Sequence, residues 1–338
     1  MKDHHKWQPN QLKRLFGIEK SKQAIFKDEG LGLIPKAHRI QRGKSQVRVW
    51  SNYDLPLIGA KYGFVNTTLK KKKIIVVYTP KGGVLKSSIT FNLARILALH
   101  NIKILVVGLD VQGTITETLK GKEAYDQSKI DALSEPVPDD LYLASIGNVK
   151  IDNVIKPTDL QTLFYIPETS NLTLLEQKIR DETKREFYLK SLLEPIVDEY
   201  DVIIFDNSPN WNFLIQNSLT AATDVISPIS CEVNTYHSLA QNLQIIERFK
   251  EKMSLSWNNL ILVPTKVQNT RLSREIEARY RSTLSEHFNK IVSATSIRMA
   301  TKAEESNLLK ESIIECAPTS SIAEDYRMLV QEIWEKIN

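Results

Sequence analysis

The sequence predicts an α/β protein with a mainly parallel, doubly wound sheet, preceded by a small and mostly helical N-terminal domain. From residue 74 onward, short runs of β-branched and aliphatic residues alternate with longer helix-type segments, a pattern typical of strand–helix units in a parallel sheet. Before residue 74 the pattern changes to short helices and a basic hairpin. Four consecutive lysines at 70–73 repel one another and favour an exposed linker between the two parts. We therefore expect domains at residues 1–69 and 70–338.

Composition places the chain among ordinary soluble globular proteins. Hydrophobic residues make up 42% of the 338 residues and charged residues 25%, as in most such proteins. The longest apolar runs are far too short to cross a membrane. Cys231 and Cys316 form no C-x-x-C pair, so we expect neither a disulfide framework nor a zinc site, and a cytoplasmic location fits.

Net positive charge is concentrated in the N-terminal segment. Residues 1–73 contain 17 Lys and Arg against 5 Asp and Glu, whereas the whole chain contains 45 against 40. Such an asymmetry indicates a domain that binds a polyanion, and nucleic acid is favoured. A solubilising tail is the alternative, but this segment also carries an ordered hydrophobic pattern.

The N-terminal segment has the pattern of a winged helix-turn-helix. A first helix is predicted at 11–16 and a second at 22–29, where Ser21 caps the start and Gly30 ends the helix. A basic hairpin, or wing, is predicted at 35–49. The second helix would enter the major groove of DNA while the wing grips phosphates. The candidate DNA-binding residues are Lys22, Gln23 and Lys27 in the helix and Arg39, Arg42, Lys44 and Arg48 in the wing.

The elements of the larger domain follow from the alternation. Strands are predicted at 74–78, 104–107, 163–166, 202–205, 225–229, 260–263 and 291–294. Helices are predicted at 89–99, 185–199, 213–222, 236–252, 272–287 and 322–337, the last with an apolar stripe that packs on the body. The polar segment 123–138 is predicted to be a surface loop.

A glycine-rich loop joins the first of these strands to the first of these helices. It reads Lys81-Gly82-Gly83-Val84-Leu85-Lys86-Ser87-Ser88. A Gly-Gly turn lets the backbone approach a ligand closely, and the helix start directs unpaired N–H groups at that ligand. Lys86 adds a positive charge and Ser87 a hydroxyl group that suits Mg²⁺. These features predict a phosphate-binding P-loop and hence a P-loop NTPase fold.

The motifs of residues 73–338 resemble the ParA family of partition ATPases, which is related to MinD. Residues 80–87 match its deviant Walker A pattern xKGGxxK[ST], and residues 108–113 resemble its DxDPQG segment. Residues 201–209 resemble its strand ending in D-x-x-P, and residues 263–265 with 271–274 resemble its late adenine-side region. Residues 10–65 resemble a MerR-like winged helix-turn-helix. The combination is similar to the larger, SopA-like plasmid partition proteins.

This resemblance implies a role for each residue of the site, with ATP and Mg²⁺ as cofactors. Lys86 would contact the β- and γ-phosphates, Ser88 the α-phosphate, and the backbone N–H groups of Gly82, Gly83, Val84, Leu85 and Lys86 would surround the anion. Lys81 would reach across a dimer to the partner's phosphate, and Asp110 would orient the attacking water. Ser87, Asp110 and Asp206 would hold Mg²⁺. Pro264, Thr265 and Arg298 would line the adenine pocket.

The resemblance also implies a function. ATP binding would drive formation of a homodimer that binds DNA non-specifically through Arg271, Arg274, Arg298 and Lys302. A ParB-like centromere-binding partner would stimulate hydrolysis to ADP and phosphate, and the N-terminal domain would bind an operator. The protein would then segregate a plasmid or other replicon while associated with the nucleoid.

Several positions depart from the family pattern. Leu85 replaces the usual glycine before the P-loop lysine, Gly108 replaces an aspartate, and Val111 replaces a proline, while Asn207 and Ser208 are also unusual. Leu85 and Gly108 favour an alternative in which nucleotide switches a transcriptional repressor without significant hydrolysis. A second alternative is an ATPase that positions a protein cargo. The non-basic C-terminal end argues against docking to a membrane.

Overall fold

The computed structural model describes residues 7–120, 138–288 and 291–338, and the predicted loop at 123–138 lies outside them apart from Pro138. The strands are β1 (His38–Arg42), β2 (Ser45–Val49), β3 (Lys73–Val77), β4 (Ile104–Leu109), β5 (Lys156–Pro157), β6 (Leu163–Ile166), β7 (Val202–Asn207), β8 (Asp224–Ser230), β9 (Asn259–Thr265) and β10 (Ile291–Val292). The helices are α1 (Pro9–Phe16), α2 (Lys22–Gly30), α3 (Leu55–Tyr62), α4 (Lys86–Leu99), α5 (Thr114–Leu119), α6 (Leu141–Ser145), α7 (Ile151–Val154), α8 (Leu172–Asp181), α9 (Tyr188–Leu193), α10 (Phe213–Ala221), α11 (Val233–Lys252), α12 (Arg271–Phe288), α13 (Lys302–Leu309), α14 (Ile313–Cys316) and α15 (Ser321–Ile337).

The sheet confirms the predicted fold class. Eight strands lie in the order β10-β9-β8-β3-β7-β4-β6-β5, and every neighbouring pair is parallel except β5 and β6. Strand β7 lies between β3 and β4, so the carboxyl ends of these three strands are adjacent at one edge. Parallel sheets bind their ligands at this edge, where the strand order reverses.

Alternating side chains bury both faces of the sheet. In β3, Ile75 and Val77 belong to the hydrophobic core that contains α4 and α15, whereas Val76 belongs to the core that contains α10 and α11. Helix α15 buries its apolar stripe in the first core, as predicted. None of the described helices is both long and apolar enough to cross a membrane.

Two details of the sequence prediction are wrong. The helix predicted at 185–199 is broken, because Pro195 has no N–H to continue it; the structure has α9 with a 3₁₀ turn on each side. Lys73 is not part of an exposed linker. It is buried at the start of β3, where its N–H donates to the carbonyl oxygen of Asp201 and so extends the strand pairing.

The N-terminal module, residues 7–69, packs directly on the body. Helix α3 crosses the end of α4 so closely that a Cβ atom on Gly59 would lie 1.9 Å from the carbonyl oxygen of Leu99. Apolar side chains of the module, including Leu15 and Trp50, share one core with α4 and α15. The module and the P-loop helix are therefore in van der Waals contact.

His100, the residue after α4, sits inside this junction. Its Nδ1–H donates to the carbonyl oxygen of Ile96 (2.7 Å), and its Nε2 accepts from the N–H of Phe64 (3.1 Å). In the neutral imidazole, one ring nitrogen therefore donates a hydrogen bond and the other accepts one. Burial lowers the pKa of His100 to about 4, although the bond to Ile96 opposes the shift.

We expect acid to destabilise the protein through His100. The folded-state pKa lies below the unfolded value, so the unfolded chain binds an extra proton and stability falls as pH drops from about 7 towards 4. Between pH 7.5 and 5.0 this one group removes about 2 kcal/mol from the free energy of unfolding. This change in the free energy of unfolding is measured by urea unfolding of the wild type and of His100→Gln at both pH values. The glutamine oxygen can accept from Phe64 but takes up no proton, so an equal pH dependence in both proteins would contradict the assignment.

Candidate functional site

The loop between β3 and α4 has the backbone of a phosphate-binding loop despite Leu85. Gly83 and Leu85 both have left-handed backbones, with φ of 69° and 70°. A side chain in this region costs roughly 1 kcal/mol or more, which explains why glycine is usual before the lysine. The Leu85 side chain is partly buried against the core on the α4 side of the sheet, and this packing offsets part of the strain.

Lys86 and Ser87 begin helix α4 at the adjacent carboxyl ends of β3 and β7. The Nζ of Lys86 donates to the carbonyl oxygen of Lys81 (2.8 Å). Burial lowers the pKa of Lys86, while the charges of Asp206 and Asp110 raise it. The Ser87 hydroxyl group donates to Oδ2 of Asp206 (2.6 Å).

Asp206 is fully buried in β7 and is held by two hydroxyl groups of α4. Besides Ser87, Thr90 donates to its Oδ1 (2.7 Å). Burial raises the pKa of Asp206 to about 6, and both hydrogen bonds and the Lys86 charge oppose this shift. A serine hydroxyl and a carboxylate in contact form the oxygen-ligand set that Mg²⁺ prefers, so these residues fit the predicted metal site.

Asp110 follows β4 at the same edge of the sheet. Its Oδ1 accepts from the N–H of Gln112 (3.0 Å). A cavity of about 660 Å³ lies beside the loop. Its lining includes Gly82, Gly83, Leu85, Lys86, Ser87, Ser88 and Asp110. Most of the predicted phosphate-side residues therefore surround one space.

Glu168 is a residue of this site that sequence reasoning missed. Its carboxylate is buried and accepts from the N–H of Asp110 and the N–H of Thr116, at 3.2 Å each. Burial raises the pKa of Glu168 to about 8, the negative charge of Asp206 adds to the shift, and the two N–H bonds oppose it. The sequence feature that indicates Glu168 as a site residue is its position, two residues after the end of the strand predicted at 163–166.

Six predicted residues do not line this cavity. They are Val84 of the loop, the buried Asp206, and the four residues Lys81, Pro264, Thr265 and Arg298. The Nζ of Lys81 lies 3.8 Å from the carboxylate of Glu232. Thr265 is buried and donates to the carbonyl oxygen of Val84 (3.2 Å), so it supports the loop from below. Pro264 is buried beside Thr265 in β9. Arg298 binds Asp325 through Nε and Nη2 at 2.7 Å each. The adenine-side role of Pro264, Thr265 and Arg298 stays a prediction.

The candidate DNA-binding residues of the N-terminal module lie on α2 and on the β1–β2 hairpin. Lys22, Gln23 and Lys27 are exposed on α2, and Arg39, Arg42 and Lys44 are exposed on the hairpin. A cleft of about 350 Å³ separates the two elements and is lined by residues of both. Arg48 differs from the others, because it stacks on Phe26 (4.1 Å) and its Nε lies 2.9 Å from Glu29. Arg48 thus holds the hairpin to α2.

The candidates for non-specific DNA binding lie on α12, which follows β9, and on α13. Arg271 and Arg274 are exposed near the start of α12, and Lys302 is exposed at the start of α13. Arg271 also pairs with Glu275 (2.8 Å). Their exposure is compatible with DNA binding but also with a solvated helix face.

Comparison with known proteins decides the family. The model of the AAA domain family AAA_31 matches residues 72–261, more than half of the chain. The chain belongs to this family of ParA- and Soj-type P-loop ATPases. The chromosome-partitioning ATPase Soj of Treponema pallidum is 32% identical over 185 residues, which cover 54% of this chain and 66% of that protein.

Solved structures agree on the fold. A putative plasmid partition protein from Borrelia burgdorferi, bound to AMPPNP, has a TM-score of 0.62 and 23% identity and covers 79% of this chain and 100% of that one. Cobyrinic acid a,c-diamide synthase from Mycobacterium smegmatis, with a bound ATP analogue and magnesium, has a TM-score of 0.56 and 24% identity and covers 71% and 91%. At such identities these structures support the P-loop fold alone.

Proposed function

We propose that this protein is a DNA-partition ATPase that hydrolyses ATP to ADP and phosphate and segregates a plasmid or other replicon. The observation that carries the proposal is the convergence of Lys86, Ser87 and Asp110 on one cavity, with Asp206 directly beneath Ser87. The similarity to proteins named for chromosome and plasmid partition supports the biological role.

The residues of the site divide the work of hydrolysis. Lys86 and the backbone N–H groups of residues 82–86 hold the phosphates, and Ser87 and Asp206 hold Mg²⁺, which neutralises charge on the phosphate oxygens when it is bound. Asp110 orients the attacking water. Because phosphoryl transfer depends mainly on positioning and electrostatics, this set of residues binds ATP and orients the water within each subunit.

A second copy of the chain completes the site. Lys81 does not line the cavity of its own subunit and lies near the half-exposed Glu232. In an ATP-bound homodimer, Lys81 reaches the partner's phosphate and offsets the charge that develops in the transition state. Dimerisation creates the surface that binds DNA non-specifically, and a ParB-like partner at a centromere site stimulates hydrolysis and releases the dimer from the nucleoid.

We expect substitutions at Lys86 and Asp110 to separate binding from hydrolysis. Lys86→Ala removes the buried charge beside the loop and should abolish ATP binding. Asp110→Ala should keep ATP affinity within about twofold but lower turnover roughly 100-fold, because Lys86, Ser87 and Asp206 remain to bind the nucleotide and its metal while the group that orients water is lost. Equilibrium binding of a fluorescent ATP analogue and phosphate release in the presence of DNA measure the two steps.

Lys150→Ala, which removes an exposed charge far from the loop in sequence, is the control. Normal turnover in Lys86→Ala would overturn the ATPase assignment. Turnover at the parent rate in Asp110→Ala would overturn the role of Asp110. ATP binding without any hydrolysis by the wild type, together with operator binding, would favour the alternative of a nucleotide-switched repressor.

The N-terminal module is proposed to bind an operator near the protein's own gene. Lys22 on α2 and Arg39 on the hairpin line a common cleft, and further exposed cations lie on the same two elements. This arrangement supports a helix in the major groove flanked by a wing on the phosphates. Arg39 and Arg42 are the wing residues best suited to a test, because Arg48 also holds the hairpin in place.

We expect Arg39→Ala/Arg42→Ala to weaken binding to the promoter fragment upstream of the gene without changing ATP turnover. Loss of two phosphate contacts should lower the slope of log affinity against log salt by about 2. Filter binding over a salt series measures the slope, and Lys150→Ala/Lys190→Ala removes the same charge from the body as a control. An equal loss in both double variants would mean that only net charge matters, and no loss in the wing variant would refute the proposal.

A further inference from the structure

Gly108 in β4 lies between two acidic residues. On one side it pairs in register with Asp206 of β7. On the other side, the chain that leaves β6 brings Glu168 over its Cα atom. A Cβ atom on residue 108 would lie 2.2 Å from Cγ of Glu168 and 2.6 Å from its Oε1. The Glu168 side chain therefore occupies the space that a side chain at position 108 would fill, and only glycine leaves room for it.

The carboxyl group of Glu168 joins the start of the Asp110 loop, residues 110–113, to the first turn of α5. Its Oε1 accepts from the N–H of Asp110 and its Oε2 from the N–H of Thr116. A third hydrogen bond has donor and acceptor reversed, because the backbone N–H of Glu168 donates to Oγ1 of Thr116 (2.7 Å). Glu168 is only 7% exposed, so water competes little for these bonds.

We propose that Glu168 is a positioning residue for ATP hydrolysis, which holds the Asp110 loop in place of the carboxylate that the family pattern provides at position 108. The proposal rests on the function proposed above for Asp110. Glu168 acts from the neighbouring strand and through the backbone, without itself contacting the water that Asp110 orients. The two substitutions are then coupled: the absence of a side chain at Gly108 makes room for the side chain of Glu168.

This arrangement explains how the protein can lack the family's aspartate at position 108, the departure that supports the alternative of a repressor without hydrolysis. Taken alone, Gly108 removes a carboxylate from the site. In the structure the carboxyl group of Glu168 lies at the same place, beside Asp206 and hydrogen-bonded to the loop of Asp110. Gly108 is therefore no argument against hydrolysis.

The test uses four variants of the full-length chain. Glu168→Ala removes the carboxylate and should lower turnover roughly 10- to 100-fold, the usual effect of losing a residue that orients a site ligand. ATP affinity should change less than about twofold, because the hydrogen bonds of Glu168 go to Asp110 and Thr116, which lie outside the P-loop. Gly108→Ala should cause a similar loss by displacing Glu168. Gly108→Ala/Glu168→Ala should be no worse than Glu168→Ala, and Gly108→Asp/Glu168→Ala should recover part of the turnover.

Hydrogen exchange at the amides of Asp110 and Thr116 gives a second measurement that needs no activity. Both amides should exchange faster in Glu168→Ala and should regain protection in Gly108→Asp/Glu168→Ala. Unchanged exchange would overturn the proposed contacts. Faster exchange with normal turnover, or an equal loss of ATP affinity and turnover, would overturn the positioning role. If the wild type hydrolyses no ATP, the proposed function and the positioning role in hydrolysis fail together, whereas the exchange result still decides whether Glu168 holds the loop.

Discussion

The hydrogen bonds from Ser87 and Thr90 to the buried carboxylate of Asp206 are the contact on which the rest of the site depends. They attach the first turn of α4 to the end of β7. The P-loop, which Lys86 bridges through its hydrogen bond to the carbonyl oxygen of Lys81, is thereby held in position. A buried carboxylate is unfavourable unless it is hydrogen-bonded, so the two hydroxyl groups and the nearby charge of Lys86 are needed to keep Asp206 available to a metal. The site is built around this one carboxylate.

The same helix carries the N-terminal module at its other end. Arg95, in the middle of α4, is buried and pairs with Asp159 (2.7 Å) and Glu315 (2.5 Å). Asn52 of the module donates to the same Asp159 (2.6 Å), and α3 touches the last turn of α4. The module is therefore attached to α4 through both polar and apolar contacts. Breaking such a buried pair is costly, so these residues stabilise the attachment.

The sequence predicted the fold class, and it also predicted that the loop residues, Asp110 and Asp206 lie at one edge of the sheet, because both rest on local patterns. Strand–helix alternation located the seven predicted strands, and the loop residues 81–88 together with Asp110 and Asp206 follow strands whose ends must be adjacent in a parallel sheet. Glu168 was not predicted, since its importance comes from the absence of a side chain at Gly108 on another strand. Arg48 was assigned to DNA from its charge alone, and its pairing with Glu29 is a tertiary contact. Pro195 in the sequence itself indicates the break in the helix predicted at 185–199.

The central claim is that one ATP site is completed by Lys81 of a second chain, and mixing two inactive variants tests it most directly. Lys81→Ala lacks the lysine that it gives to its partner, and Asp110→Ala lacks the group that orients water in its own site. In a mixed dimer, the Lys81→Ala subunit keeps its own Asp110 and receives Lys81 from the other chain, so one complete site forms. An equal mixture should then hydrolyse ATP, with DNA present, at roughly a quarter of the wild-type rate, because half of the dimers are mixed and each has one complete site. Turnover no higher than that of the two variants measured separately would contradict the shared site.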